Sequence, residues 1–463
     1  MPPTSRQVVI TGIGAVCGHG LGMPALWDAL VAGRSALGPI TRFDASGFPC
    51  RLASEVTNFA GRDHVPKYYR KAVKVMARDT ELAVGASRVA VEDAGLFTRA
   101  HVADPDAVTP AEAAKYTFRP RRLGCHIGAG LIAADTEELS LALASARAGA
   151  GTPAGATVLG GVDLNEWGRS GMENLTPLWL LKYLPNMLAC HVTIIHGAEG
   201  PSNTITCAEA SGLLSIGESM RVIERGAADA CFAGGAESKL SLMGLLRLDL
   251  AGRLAHTGES KDGVSFVRPY ETPGSGESRG GLLGEGGGIL ILEDQESARA
   301  RSARVYAQAL GFGAAHSAPG YDDAEDDEGM RFAIEAALDD AGVRPDEIDA
   351  IVPMALGVET IDRAEFGALR AVFGGRLAGI PLVTLCPSIG NCNAGAGGLQ
   401  AAVAATCIAQ QRVPARLHAG TPREGICAGA AASHAATLRR VLVCTGSLGG
   451  QNAALVLGQA PTM

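Results

Sequence analysis

The feature that most constrains this chain is an internal duplication. Two Ala-rich segments each end a helical pattern at a glycine, "VAVEDAGL" at residues 89–96 and "AALDDAGV" at residues 336–343. Each is followed by an apolar run that also ends in glycine, "LGCHIGAG" at 123–130 and "DAIVPMALG" at 349–357. Such self-similarity predicts two related structural units.

The correspondence continues along both halves. A short β-rich run leads into a helix at residues 204–212 ("TITCAEASG") and again at 385–405 ("LCPSIGNCNAGAGGLQAAVAA"). A further strand follows in each half, at 228–238 and 439–450. Strands that alternate with helical patterns predict α/β layers. The long uncharged helical patterns predict helices that are buried on all sides.

Composition argues against several classes of protein. The 463 residues carry 40 basic and 48 acidic side chains, a net charge of -8, so nucleic acid is not an expected partner. The eleven cysteines form no CxxC pair and the histidines form no cluster at ligand spacing. We therefore expect no metal site, no disulfide framework and no cofactor.

The sequence also predicts where in the cell the protein resides. The N-terminus lacks the basic start, apolar core and cleavage site of a signal peptide, so we expect the protein in the reducing cytoplasm. The uncharged run at 377–411 contains Pro387, Asn391 and Gln400 and predicts a buried helix after a turn, not a membrane span. Residues 97–121 are interpreted as a polar insertion and 321–329 as an acidic, solvated loop.

Several longer motifs together resemble the elongating β-ketoacyl-[acyl-carrier-protein] synthases, which have the thiolase fold. The similarity extends nearly from end to end, and the motifs are specific as a set although each Gly-rich piece alone is weak. The motifs are "VVITGIGAVCGHGLG", "ALGPITRFDASGFPCRLASEV", "GPSNTITCAEASGLLSIGESMRVIERGAADACFAGGAES", "VRPYE", "GEGGGILILED" and "GSLGGQNAALVL".

The resemblance implies a fold, partners and a mechanism. The expected fold is α/β, a duplicated five-layered αβαβα arrangement with thiolase-like halves at residues 1–296 and 297–463. The expected partners are an acyl carrier protein and a second subunit in a homodimer or heterodimer. The usual site has a cysteine that takes an acyl group as a thioester, and two histidines that assist decarboxylation of a malonyl unit.

The spacing of the motifs decides which residue occupies the nucleophile position. Aligning Gly200, Gly212 and Gly217 with the family pattern without a gap places Glu209 there. Cys207 falls two residues earlier, in what we predict to be the strand, and we interpret it as a small core residue and a less favoured nucleophile.

The other chemical positions of the family are also altered. Leu356 stands in place of the first histidine, Asn391 in place of the second, and Cys386 in place of the motif lysine. The gating phenylalanines are replaced by Gly446 and Leu448. The scaffold motifs are therefore kept while the residues that would carry the chemistry are changed.

These replacements remove the usual reaction. A carboxylate such as Glu209 would form a mixed anhydride, which is uphill from a thioester and open to hydrolysis. Leu356 cannot donate a hydrogen bond or move a proton, whereas Asn391 keeps an amide donor. Without two histidines, decarboxylation loses the groups that would stabilise the enolate.

Four functions remain open, and whether the protein is an enzyme is undecided by the sequence. The leading hypothesis is a non-condensing partner subunit similar to a chain length factor, which acts on carrier-bound chains in fatty acid or polyketide biosynthesis. Chain length factors usually carry glutamine at the nucleophile position, so Glu209 departs from their pattern. The alternatives are an enzyme that uses Glu209 as general base, a decarboxylating variant, and a drifted homodimer kept for interaction alone.

Three further residues attract attention. His191 and His196, which we place beside the strand that precedes Gly200, are interpreted as structural or surface histidines. Glu285 matches a family glutamate whose lysine partner is replaced by Cys386. If it is buried, it needs another partner or must be protonated.

Overall fold

The strands of the molecule are short except for those that build its central sheet. The computed structural model describes residues 6–149, 152, 155–175, 178–272, 280–317, 328–447 and 449–460. In this part of the chain the strands are β1 (Val8–Cys17), β2 (Gly20–Leu21), β3 (Leu37–Pro39), β4 (Leu52–Ser54), β5 (Leu123–Gly128), β6 (Val158–Leu159), β7 (Val162–Asp163), β8 (Ser202–Ile205), β9 (Ala230–Glu237), β10 (Leu283–Gly284), β11 (Gly286–Asp294), β12 (Ala307–His316), β13 (Ala350–Val352), β14 (Arg412–Val413), β15 (His434–Ala435), β16 (Arg440–Gly446) and β17 (Gln451–Gly458).

The longest helices flank that sheet. The helices in the described ranges are α1 (Met23–Val31), α2 (Arg78–Asp93), α3 (Pro110–Ala113), α4 (Thr136–Ser145), α5 (Leu164–Arg169), α6 (Met187–His196), α7 (Ser211–Glu224), α8 (Leu242–Leu250), α9 (Gln295–Ala300), α10 (Glu328–Ala341), α11 (Glu359–Phe373), α12 (Cys386–Ile389) and α13 (Ala396–Gln410). None of them combines the length and apolarity needed to cross a membrane.

The sheet shows the duplication directly. In the first half, β1 pairs antiparallel with β11 and β11 with β9, while β5 pairs parallel with β9 and with β8. In the second half, β12, β17, β16 and β13 repeat this order and these directions, and a parallel bridge from Ile351 to Leu382 takes the place of β8. A short antiparallel pairing of β1 with β12 joins the halves.

Five layers result from how the helices pack. Helices α7 and α13 contact each other, and each contacts strands of both halves. Helix α2 covers the outer face of the first half and α10 covers that of the second. The predicted duplicated αβαβα fold is therefore confirmed. Residue 297 lies within α9, which connects the halves, so the division of the chain near that point stays a prediction.

The central layer is packed closely enough to require glycine at its contacts. A Cβ atom on Gly398 of α13 would lie 2.0 Å from the Gly288 carbonyl oxygen of β11. A Cβ on Gly397 would lie 2.5 Å from the Leu213 nitrogen of α7. The backbones approach so closely that no side chain fits between them.

The predicted buried helix is confirmed, since α13 buries nearly all of its residues after the turn that follows α12. The core has the same two-part character, with one large apolar cluster around the central layer and separate clusters beneath the outer helices. Most of the predicted acidic loop, residues 321–327, lies outside the described residues.

Candidate functional site

A tight turn joins β8 to α7 and presents Glu209. Ala208 takes a left-handed conformation with φ 46°, which is uncommon for a residue with a side chain. Ser211 braces the turn, because its hydroxyl donates to the Ala208 carbonyl and accepts from the Cys207 N–H, both at 2.7 Å. Glu209 is 4% exposed and precedes the first turn of α7.

Two side chains from distant parts of the chain approach the Glu209 carboxylate. Asn391 Nδ2 donates to Oε1 at 3.2 Å, so the nucleophile position and the second histidine position lie in direct contact. Arg253 Nη1 lies 3.9 Å from the same oxygen and is nearly as buried. The other oxygen, Oε2, meets no protein donor within the described ranges.

Glu209 lines a cavity of ≈ 380 Å³ whose wall combines charged and apolar residues. The charged residues of this cavity, in chain order, are Glu209, Glu237, Lys239, Arg247 and Arg253. Glu237 forms an ion pair with Lys239 and accepts the Ala394 N–H at 2.8 Å. Within the described residues, the lining includes no cysteine, serine or histidine. Its polar side chains are the five charged groups, the Thr206 hydroxyl and the Asn393 amide.

Cys207 lies outside this lining. It follows β8 by two residues, so the prediction that it lies in the strand is wrong. It is half-buried, so the interpretation as a core residue is also wrong, because the turn at Ala208 lifts it out of the sheet. Partial burial raises the pKa of its thiol, which lowers the thiolate fraction available for attack.

Leu356 is buried away from the Glu209 cavity. It lines a separate void of ≈ 10 Å³ together with Cys386, and its side chain packs in an apolar cluster. Burial raises the pKa of the Cys386 thiol well above its usual range, so this residue carries no charge where the family has a lysine. Leucine and thiol thus make the surroundings of the first histidine position apolar.

The loop that carries Leu356 is held by two carboxyl groups of α11. Glu365 accepts the N–H groups of Met354 and Ala355 at 2.8 and 2.9 Å. Asp362 accepts the Gly357 N–H at 3.1 Å. Burial, reinforced by the neighbouring Glu365, raises the pKa of Asp362 to about 8. The loop is therefore fixed although its central side chain has no polar role.

The gating positions border little free space. Gly446 lines a void of ≈ 10 Å³ with Arg253, Met354 and Glu365, about the volume of one water molecule. Leu448 lies outside the described residues.

The buried Glu285 forms ion pairs with two arginines. It is fully buried, and its carboxylate accepts two hydrogen bonds each from Arg42 and Arg78, at 3.0–3.1 Å. Burial alone would raise the pKa of Glu285, but Arg78 and Arg42 outweigh it and hold the pKa below its usual value. Two arginines thus neutralise the buried carboxylate, which confirms the expectation that it needs another partner if buried.

Two models of known protein families match most of this chain. The family model described as "Beta-ketoacyl synthase, N-terminal domain" matches residues 5–298, and "Beta-ketoacyl synthase, C-terminal domain" matches residues 306–420. The chain belongs to the β-ketoacyl synthase family. The resemblance read from the motifs is confirmed.

Relatives within the β-ketoacyl synthase family match along nearly the whole chain. The 3-oxoacyl-[acyl-carrier-protein] synthase 2 of Staphylococcus aureus (strain COL) is 30% identical over 460 residues, which is 98% of each protein. The synthase of the same name from Vibrio cholerae is 29% identical over 430 residues, 91% of each.

Solved structures extend the comparison. The ishigamide ketosynthase/chain length factor superposes with a TM-score of 0.78 and 27% identity, covering 99% of this chain and 100% of that one. A β-ketoacyl synthase from Burkholderia phymatum also gives a TM-score of 0.78, at 23% identity, with 98% and 100% covered. This second likeness supports the fold alone.

The two histidines near the site are structural in their contacts. Both lie on α6, so placing them beside a strand was wrong. His196 bonds to Thr98 Oγ1 at 2.9 Å and His191 to the Tyr69 hydroxyl at 2.8 Å. Burial lowers the pKa of His191 to about 4 and that of His196 to about 3. Neither lines the Glu209 cavity.

The two arginines that line the Glu209 cavity were not predicted from the sequence. Arg253 and Arg247 lie on α8 or just after it, far along the chain from Glu209, and no motif connects them. The one available signal was an arginine between apolar residues in "LAGRLA", at 250–255. A buried arginine normally requires a carboxylate partner, and Glu209 was an unassigned carboxylate.

Proposed function

We propose that this β-ketoacyl synthase homologue is a non-condensing partner subunit, similar in role to a chain length factor. The observation that carries the proposal is the cavity at the start of α7, whose described lining has two carboxylates and three cations but no thiol and no imidazole. Acyl transfer needs a nucleophile, and decarboxylation needs groups that stabilise an enolate. The described lining of this cavity supplies no thiol to form a stable thioester and no imidazole to assist decarboxylation.

The surroundings of the site support the same proposal. Arg253 places a positive charge beside Glu209, and Asn391 occupies its Oε1 atom. The voids near Leu356 and Gly446 are each ≈ 10 Å³, too small for an acyl chain. Neither of these two voids holds a growing chain, which supports the role of shaping a tunnel that a partner provides.

A surface beside the cavity is suited to a protein partner. Leu131 and Leu248 line the cavity, and many other large apolar side chains are exposed on α8 and on the described residues between 131 and 180. Large exposed apolar patches mark interaction sites. The exposed residues are Leu131, Leu141, Leu143, Val158, Leu159, Leu164, Met172, Leu178, Leu180, Leu242, Met243, Leu246 and Leu250. We propose that a second subunit covers them.

A basic cluster fits an acidic carrier protein. Lys67, Arg70, Lys71 and Lys74 are all exposed on the 3₁₀ turn of residues 67–75, in a chain whose net charge is -8. Such a local positive field attracts an anionic partner. One solved structure of the same fold, at 21% identity and a TM-score of 0.75, is an acyl-carrier protein in complex with its ketosynthase.

The test combines this chain with an active synthase. The purified protein is incubated with acyl and malonyl carrier proteins, with and without that synthase, while intact mass, carbon dioxide release and product length are followed. The proposal requires no loading and no carbon dioxide from this chain alone, and a changed product length when both are present. Loading of this chain by itself, or unchanged products with the partner, contradicts it.

The docking surfaces have their own control. Charge reversal in Lys71→Glu/Lys74→Glu should weaken carrier-protein binding, and added salt should weaken the unmodified interaction. Lys115→Glu, which reverses another exposed lysine outside the basic cluster, is the matched variant and should bind the carrier normally.

A second function is favoured by one observation. Glu209 Oε2 is buried and has no protein donor among the residues described, so a bound substrate could give it a proton. Under this alternative the chain alone would convert a carrier-bound substrate, and Glu209→Gln would abolish the conversion. The same incubation without the synthase separates the two proposals.

A further inference from the structure

One polar atom in the cavity is left without a partner from the protein. Glu209 is 4% exposed, and its Oε1 atom is engaged by Asn391 at 3.2 Å. Its Oε2 atom is buried and meets no donor from the described residues, while the side chain lines the ≈ 380 Å³ cavity. A buried acceptor without a partner is costly, so this atom favours a ligand that brings a donor.

The charges around the cavity select the kind of donor. Glu209 and Glu237 supply two negative charges, and Lys239, Arg247 and Arg253 supply three positive charges. A ligand ammonium would enter a wall that is already cationic and would compete with Arg253 for Glu209. A neutral hydroxyl donates a hydrogen bond without that repulsion.

We propose that this cavity binds a short acyl group bearing a hydroxyl, and that the hydroxyl donates to Glu209 Oε2. The inference rests on the proposed function, since it takes the acyl group to arrive on a carrier protein. The volume is within the range of small-ligand sites and exceeds what a four-carbon acyl group needs, which leaves room for part of the carrier's pantetheine arm.

The same geometry rejects related acyl groups. A plain hydrocarbon offers no donor, so Oε2 would stay unpaired beside it. An oxo group would place its oxygen against a carboxylate oxygen, where both atoms are acceptors. A hydrogen bond to a charged group corresponds to a preference of roughly tenfold to a hundredfold for the hydroxyl.

The experiment measures binding to the full chain by calorimetry. The probes are non-hydrolysable pantetheine amides of butyrate, 3-oxobutyrate and the 2-, 3- and 4-hydroxy isomers of butyrate, together with free 3-hydroxybutyrate. The variants are Glu209→Gln, which keeps the size of the side chain and its contact with Asn391, and Glu218→Gln, a matched change on α7 outside the cavity lining.

The expected result is that at least one hydroxy isomer binds at least tenfold more tightly than the butyryl and oxobutyryl probes. Glu209→Gln should reduce this preference to less than threefold, and Glu218→Gln should retain it. Equal binding of all probes, or a preference that survives Glu209→Gln, overturns the proposal. Binding of free 3-hydroxybutyrate but of no pantetheine amide overturns the carrier-bound assignment.

This result is independent of the test of the proposed function. Probe binding is measured on the chain alone, whereas the partner role is judged from product length with an active synthase. A hydroxyl preference without any effect on product length would remove the partner role and leave the ligand site. An effect on product length without a hydroxyl preference would do the reverse.

Discussion

Replacing Arg78 with methionine tests how this fold tolerates a charge inside its core. Glu285 is fully buried, and Arg78 donates to it through Nε at 3.1 Å and through Nη2 at 3.0 Å. Methionine keeps much of the aliphatic bulk but leaves the carboxylate with Arg42 as its one cation among the described residues. Breaking a buried ion pair from one side costs about 3 to 5 kcal/mol in the free energy of unfolding.

The magnitude can be followed by thermal unfolding. An unfolding entropy of about 2.1 cal/mol/K per residue gives about 1 kcal/mol/K for the 463 residues, so the Tm of Arg78→Met should fall by about 3 to 5 °C. Arg88→Met is the matched control, because Arg88 pairs with Glu92 on an exposed face of the same helix. That exposed pair contributes less than about 1 kcal/mol to the free energy of unfolding.

The pH dependence has a defined sign. In the unmodified protein Arg78 and Arg42 hold the pKa of Glu285 below its usual value, so their stabilisation is present above about pH 4.5 and is lost as the pH falls further. In Arg78→Met, burial raises that pKa, and Glu285 takes up a proton in mild acid. The decrease in Tm caused by Arg78→Met should therefore be larger at pH 7 than at pH 5. A Tm within 1 °C of Arg88→Met at pH 7 would refute this reasoning.

Three further predictions concern the site and the histidines. Glu209→Cys should not create a condensing enzyme, because neither former histidine position has an imidazole; carbon dioxide release from malonyl carrier protein should stay at background, and turnover would contradict this. Cys207→Ala should leave any effect on a partner's product length unchanged, since the thiol lies outside the cavity lining and burial raises its pKa; loss of the effect would restore Cys207 as a functional residue. Burial lowers the pKa of His126 and His191 to about 4 and that of His196 to about 3, so the unfolded chain binds more protons below pH 6.5 and each histidine should lower stability by roughly 2 kcal/mol between pH 7 and 5. Burial raises the pKa of Asp362 to about 8 and that of Asp79 to about 7, which acts in the opposite direction over this range, so the histidines are followed individually by the NMR signals of their imidazoles; a signal of any of the three that titrates near pH 6.5 would contradict the prediction.

The sequence was sufficient for features that depend on local order along the chain. The repeated helix and strand patterns predicted the duplication, because the spacing of apolar residues within a segment distinguishes a helix from a strand. Fixed spacing between glycines located Glu209 at the start of α7, since Gly200 and Gly212 closely approach other backbone segments and Gly217 packs against the ring of Phe312. Its contact with Asn391 follows from two motifs that the family brings together.

Local errors arose where the backbone departs from regular geometry. Cys207 was placed in a strand, but the left-handed turn at Ala208 ends the regular structure earlier. His191 and His196 were placed beside a strand, although they lie on a buried helix whose apolar residues give no clear amphipathic period. Positive φ values and fully buried helices leave little trace in a hydrophobic pattern.

What the tertiary structure alone decided is the pairing of charges. Arg253 reaches Glu209 and Arg42 and Arg78 surround Glu285 because the fold brings separate segments into one low-dielectric interior. Coulomb interactions depend on distance in space and on burial, and neither quantity can be read from the order of the residues. The sequence therefore determined the scaffold and predicted that Glu209 stands at the nucleophile position. The packing of distant side chains determined that this position lines a charged cavity.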